Sequence, residues 1–396
     1  MERRDFLKTA SASIPMFVPK SAFGANDRIQ YALLGAGGRG QYVSRVFEKY
    51  GGKCMAFAEV YSPNVDKTKT QHPDAKSYID YHELLSKEQV DAVLIASPDH
   101  HHAPMLYAAL NAKKDVYQEK PLSTSLDQSL EMIKAVRATD RVVQIGMQRR
   151  SIDKIQNARK LVEDGILGQI TWVKAQWNWN VAKPLDNSPL PGAIDWDRFL
   201  GSAPRRPLEP MRFRYWRYFW DYAGGNMTDQ GTHLMDVIQW FTKTPPPISA
   251  IAYGYVAKNI GAEAPDVFSA VFEFPNHMVT WTLDYSTSFE DGWSITFQGD
   301  KATMILREEG YKVVPSGPPK TDTFWRPDVK PIVEEKAEMT AVETHVQNFF
   351  DCVRSRKDPN CTVEMAAAAV AGPHLANLAM TRRTQARLPP GYLAKA

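Results

Sequence analysis

Apolar and polar positions change period along the chain, and those changes divide it into elements. Residues 28–34 form an apolar run of strand length, Tyr42, Val43, Val46 and Phe47 then recur at helical spacing, and 53–58 is strand-like again. Further apolar runs at 91–96, 115–117 and 141–146 alternate with helical patterns. Strands alternating with helices predict a parallel sheet covered on both faces, so residues 26–147 read as a doubly wound α/β domain.

A helical pattern at 153–164 opens the remainder, followed by a strand-like run at 170–177, a Pro-rich excursion at 184–210 and an aromatic run at 212–222. Strand patterns then dominate at 249–255, 267–274, 278–285 and 293–298, with Pro275-Asn276 as a hairpin turn. The stretch 315–336 reads as a loop, and helices at 341–356 and 363–382 close the chain. Residues 148–396 thus read as a second α/β domain, and no internal repeat is visible.

A length of 396 residues suits two domains, and 43% hydrophobic with 23% charged residues is ordinary globular composition. The net charge of +3, with no basic stripe, argues against nucleic acid as a partner. Cys54, Cys352 and Cys361 lack metal-ligand spacing; they read as free buried thiols, with a Cys352–Cys361 disulfide as the alternative. At the N-terminus, Arg3-Arg4 precedes a weakly apolar run at 9–18 and Ala22-Phe-Gly24-Ala25, which suits a small-residue cleavage site, and the whole resembles a twin-arginine export signal. Residues 1–25 are therefore expected to be an export signal and the mature protein periplasmic. The apolar run is far shorter than the ~20 residues that span a bilayer.

The chemistry starts where the first strand meets the first helix. Gly35, Gly37 and Gly40 stand in a G-x-G-x-x-G turn with Gly38 and Arg39 inside it. Such a turn lets a pyrophosphate approach the backbone and the helix N-terminus. Glu59, at the end of the second strand, has the offset of an acid that grips a ribose 2′-hydroxyl, so NAD is expected, with NADP the alternative that Arg39 allows. Ser97-Pro98 and Glu119-Lys120-Pro121 fall at the carboxyl ends of later strands, where a ligand of such a sheet lies. Ser97, Pro98, Glu119 and Lys120 therefore join the expected cofactor contacts.

Asp229, His233 and Asp236 share one face of a predicted helix that starts at Gly224-Gly225. A helix cap with a satisfied core histidine is the bland reading; beside a dinucleotide domain the set reads as a catalytic base with its orienting carboxylate. Oxidising an alcohol requires a proton acceptor. A lysine, ordinarily at a pKa of about 10.4, would have to be moved by roughly 4 kcal/mol to be half neutral at pH 7, whereas a histidine at about 6.5 needs almost nothing. His233 is therefore the expected base and Lys120 the cation that polarises the oxygen. Adjacent histidines at 100–102 point in different directions, so no metal is expected; one of them, assigned as His102, should line the nicotinamide. Arg149 and Trp177 join Lys120, Asp229 and His233 as expected substrate contacts, Trp177 by stacking on a sugar face.

Taken together, the glycine turn, Ser97-Pro98-Asp99 with His102, Glu119-Lys120-Pro121, and Gly224-Gly225 leading into Asp229 and His233 resemble the glucose-fructose oxidoreductase, inositol dehydrogenase and rhizopine-catabolism (Gfo/Idh/MocA) family. The resemblance spans nearly the whole mature chain. It implies an N-terminal Rossmann domain, a C-terminal α/β domain with a large open mixed sheet, and sugar, glycoside or cyclitol substrates. It also implies Lys120, Asp229 and His233 as the catalytic set. An exported dehydrogenase has no nicotinamide pool to exchange with, so a retained cofactor in a closed redox cycle is expected. Glycoside cleavage by transient oxidation and elimination is the alternative, and a non-catalytic sugar or cofactor sensor the reading from another class. The open sheet should leave an apolar face that a homodimer or homotetramer covers.

Overall fold

The computed structural model describes residues 28–317, 330–336 and 342–395; the export signal expected at 1–25 lies outside them. Six parallel strands come first: β1 (Ile29–Leu34), β2 (Gly52–Ala58), β3 (Lys76–Tyr78), β4 (Ala92–Ile95), β5 (Asp115–Gln118) and β6 (Val143–Ile145). They stand in the order β3-β2-β1-β4-β5-β6. Helices cover both faces, which is why β1 and β4 are buried almost throughout and read as apolar runs without alternation. The order reverses between β1 and β4, and the crevice beyond their carboxyl ends is where such a sheet holds a dinucleotide.

The second sheet is mixed and open. Its strands are β7 (Ile170–Asn178), β8 (Ser249–Tyr255), β9 (Val267–Glu273), β10 (Met278–Asp284), β11 (Gly292–Gly299), β12 (Ala302–Arg307), β13 (Gly310–Pro315), β14 (Val333–Lys336) and β15 (Ala386–Arg387). Their order is β14-β13-β12-β11-β7-β10-β9-β8-β15, with β7 and β10 parallel and the remaining pairs antiparallel. Along β9, Phe268, Ala270 and Phe272 point inward while Ser269, Val271 and Glu273 point out. Helices Asp153–Glu163, Gly231–Thr242 and Val363–Arg382 pack on the inner face. On the outer face Ile251, Val271, Tyr253 and Tyr255 stay exposed, the two tyrosines at 69% and 65%.

Two features depart from the expectations. Val333–Lys336 is a strand inside the stretch expected to be a loop, and 302–315 adds a hairpin the pattern did not single out. The sequence of β14, Val-Glu-Glu-Lys, has no apolar alternation because it lies at a sheet edge, where charged residues are the rule. All three cysteines are free and buried, as expected, and the alternative Cys352–Cys361 disulfide is absent. Finally, the last helices do not stay with the second sheet. Val346, Phe349 and Phe350, from helix Glu343–Ser355, pack against Phe47 and Tyr117 on one side of the first sheet. Val363, Ala366, Ala367 and Val370 join the core on its other side.

Candidate active site

At the first turn, Gly35 has φ +84°, and a Cβ there would stand 2.7 Å from the Ser97 backbone. A Cβ on Gly40 would stand 2.2 Å from the Gly35 carbonyl oxygen, so this glycine lets the helix Gly38–Lys49 close on the turn. Gly37 and Gly38 differ. A Cβ on Gly38 would meet nothing within 4 Å and one on Gly37 only the Asn64 amide at 4.0 Å. The hollow above them opens onto a helix N-terminus, a fit for a pyrophosphate.

Glu59 fastens this turn. Its carboxylate accepts N–H bonds from Ala36, Val60 and Tyr61, each at 2.9 Å. Burial pushes its pKa up, and those N–H groups counter part of the rise. Gly35, Gly37, Gly38, Arg39, Glu59, Ser97 and Pro98 line a cavity of about 570 Å³, and Phe199, Phe213 and Trp216 from the second domain form its opposite wall. A dinucleotide lying there would rest its phosphates on the glycines and its ribose at Glu59. Arg39 is not free for a 2′-phosphate: it is ion-paired with Glu119 at 2.8 Å, and Glu119 is itself buried by that pairing.

His102 does not face the cavity. It is buried, with Nδ1 at 2.7 Å from the Pro121 carbonyl oxygen and Nε2 at 3.1 Å from that of Ser97, so it ties together the loops after β4 and β5. Burial holds it neutral, its pKa lowered to about 4, and a neutral ring donates only one of these two bonds. The neighbour that lines the cavity is His101.

The expected catalytic residues do converge. Lys120, just past β5, donates to the side chain of Asp229 and, at 3.0 Å, to its backbone carbonyl. Asp229 ends the short helix Gly225–Asp229, and Arg217 Nε lies 3.5 Å from its second oxygen. Burial alone would raise the Asp229 pKa, but the Lys120 and Arg217 charges hold it well below the usual carboxylate range. His233, on the first turn of helix Gly231–Thr242, is held neutral by burial and by the Lys120 and Arg149 charges. Its Nδ1 is buried without a hydrogen-bond partner. Asp229 therefore orients Lys120 rather than the imidazole. Nor does Asp236 serve His233: it is spent on Arg150, whose Nε reaches its two oxygens at 2.8 and 3.0 Å.

The sequence reading assigned Arg149 and Trp177 to substrate, and both lie beside His233. The Trp177 and His233 ring centroids are 6.4 Å apart, and the Arg149 guanidinium lies 5.1 Å from the Trp177 ring. Three residues went unassigned. Arg217 was hidden in an aromatic run, Trp293 opens a strand and looked like core, and Asp99 entered only as part of a turn. Asp99 is 3% exposed, and burial together with the Asp229 charge raises its pKa to about 8.

Residues 29–147 match the model of an oxidoreductase family with an NAD-binding Rossmann fold, and 159–384 match that family's C-terminal alpha/beta domain. An inositol 2-dehydrogenase of Corynebacterium glutamicum is 29% identical over 344 residues, 85% of this chain and 84% of the relative. One of Rhodococcus erythropolis is 32% identical over 147 residues, so the match covers 36% of this chain and 42% of that relative. The WlbA dehydrogenase of Bordetella pertussis, solved with NADH and UDP-GlcNAcA, superposes with a TM-score of 0.70 at 18% identity over 91% of this chain and 99% of its own. A levoglucosan dehydrogenase solved with NADH and L-sorbose gives 0.70 at 16% identity over the same shares. These two structures share the fold.

Asp99 carries a pH signature. A carboxyl raised from an ordinary 3.8 to about 8 in the fold favours folding while protonated, so its contribution declines as pH rises from about 4 to about 8. Denaturant titrations at pH 5 and pH 8 should show the wild type losing a few kcal/mol and Asp99→Asn losing much less. Parallel losses in the two proteins would assign the effect elsewhere.

Proposed function

This chain belongs to the Gfo/Idh/MocA oxidoreductase family, with NAD as cofactor, and we propose that it moves a hydride between NAD and a secondary hydroxyl of a sugar, glycoside or cyclitol. The observation that carries this reading is a Lys120 ammonium pinned by Asp229 beside a neutral His233 with an unpartnered nitrogen. Bound NAD supplies the acceptor for hydride. Lys120 hydrogen-bonds the substrate oxygen and stabilises negative charge as it develops there. His233 takes the hydroxyl proton, and its neutrality leaves a lone pair for that purpose. A sensor would have no use for this set.

The cavity wall supports retention of the cofactor. Ser62 N–H donates to the Ala193 carbonyl at 2.9 Å, Ala193 N–H to Ser62 Oγ at 3.0 Å, and Asp195 N–H to the Val60 carbonyl at 2.9 Å. This seam begins next to Glu59 and ties the two domains together beside the site read as the ribose pocket. With the export signal read at Arg3-Arg4, this fits a periplasmic protein that carries its cofactor through export. The cycle then closes on one molecule of NAD, by reducing a second sugar or by cleaving a glycosidic bond through transient oxidation and elimination. The bare outer face with Ile251, Tyr253 and Tyr255 is read as the contact of a homodimer or homotetramer.

Three measurements test this reading. His233→Ala should lower kcat by about 10²-fold or more with NAD affinity nearly unchanged; an unaltered kcat would remove the residue from its role. Denaturing the purified protein should release close to one nicotinamide nucleotide per chain, whereas a nucleotide-free supernatant together with free turnover of added NAD would leave an ordinary dehydrogenase. Light scattering at micromolar concentration should report a dimer or tetramer, and a monomer would contradict the role given to the outer face.

A further inference from the structure

Beside His233 stands a cation that the protein does not answer. The Arg149 guanidinium lies 4.1 Å from the centroid of the Trp293 ring and 5.1 Å from that of Trp177. No hydrogen bond or ion pair joins it to a described residue, and its Nη1 is sealed from solvent without a partner. The nearby acids are otherwise placed: Asp236 is held by Arg150, and Glu308 lies on an exposed turn. Burial pulls the Arg149 pKa down to about 9, a cost that an ordinary packing residue would not impose.

The surroundings specify the missing group. The indole rings 4.1 and 5.1 Å away offer the guanidinium no hydrogen-bond acceptor, and the fork of N–H groups it carries matches a planar pair of oxygens. A pair of sugar hydroxyls would satisfy the N–H bonds but not the charge. A phosphate dianion would bring more charge than one guanidinium cancels, and Lys120 is already neutralised by Asp229.

We propose that Arg149 binds a carboxylate of the substrate, which makes that substrate a sugar acid, such as a uronic acid or its glycoside, held with a ring hydroxyl toward His233. This rests on the proposed function and names its substrate class. The carboxylate lies in the plane of the guanidinium between Trp177 and Trp293, where exclusion of water strengthens the pairing.

The test compares methyl glucuronide with methyl glucoside on the NAD-loaded protein. Binding is read by titration calorimetry, which reports it whether or not hydride moves, and turnover from nicotinamide absorbance. The wild type should bind the acid about 10²-fold more tightly, the scale of a bidentate charge-assisted pair. Arg149→Met should bring the two ligands within a few-fold of each other, with the loss in KM rather than kcat. Arg149→Lys, which keeps the charge but not the fork, should lose at least tenfold of the preference and decides the matter if the methionine variant does not fold. Equal binding of acid and neutral sugar by the wild type, or a preference that survives both substitutions, overturns the proposal. Acid-selective binding with no absorbance change would instead sink the hydride-transfer reading and leave the carboxylate site standing, and unselective turnover would do the reverse.

Discussion

The ion pair between Lys120 and Asp229 is the contact on which the active site depends. One partner stands just past a strand of the first sheet and the other ends a helix of the second domain, and their side chains are only 14% and 13% exposed. Pairs buried to this degree contribute modestly when intact, but losing one partner strands a charge at a cost of about 3–5 kcal/mol. The pair therefore acts less as glue than as a register mark. It holds the ammonium at one point relative to His233, and it exists only when the two domains are correctly seated. The seam between Val60–Ser62 and Ala193–Asp195 serves the same seating from the other end of the crevice.

Much of this was legible in the chain because the signals are local. The glycine turn, Glu59 and the loops after β4 and β5 have meanings fixed by strand–turn–helix geometry, and the alternation along β8 to β11 follows from one covered face. What escaped was decided by contacts between distant residues. His102 sits in a motif that suggests a ligand contact, yet its partners are the backbone carbonyls of Ser97 and Pro121, which no spacing rule reveals. Asp236 follows His233 at helical spacing, but Arg150 claims it from 86 positions away. Trp293 looked like any aromatic at a strand start until the fold set it on Arg149. β14 was missed for a different reason: edge strands carry charge instead of the apolar alternation that marks interior ones.

The electrostatic pattern of the site is one of unequal neighbours. Asp229 and Asp99 are two buried carboxyls that feel one another's charge: the Lys120 and Arg217 charges keep Asp229 ionised, whereas burial, with the Asp229 charge added to it, keeps the proton on Asp99. Separating two carboxyls in this way allows an anion and an acid to coexist at the same pH. His233 completes the set as an imidazole kept neutral by burial and by the Lys120 and Arg149 charges.

The return of the last helices to the first sheet constrains how the protein is made. Phe47 and Tyr117 gain their cover from Phe349 and Phe350, and the opposite face gains its own from Val363 to Val370. A nascent chain that has released only the dinucleotide-binding strands still presents two apolar surfaces to the cytosol. The domain is finished only when helices Glu343–Ser355 and Val363–Arg382 have also left the ribosome, so the sheet that carries the nucleotide turn gains its full support long after its own last strand is made.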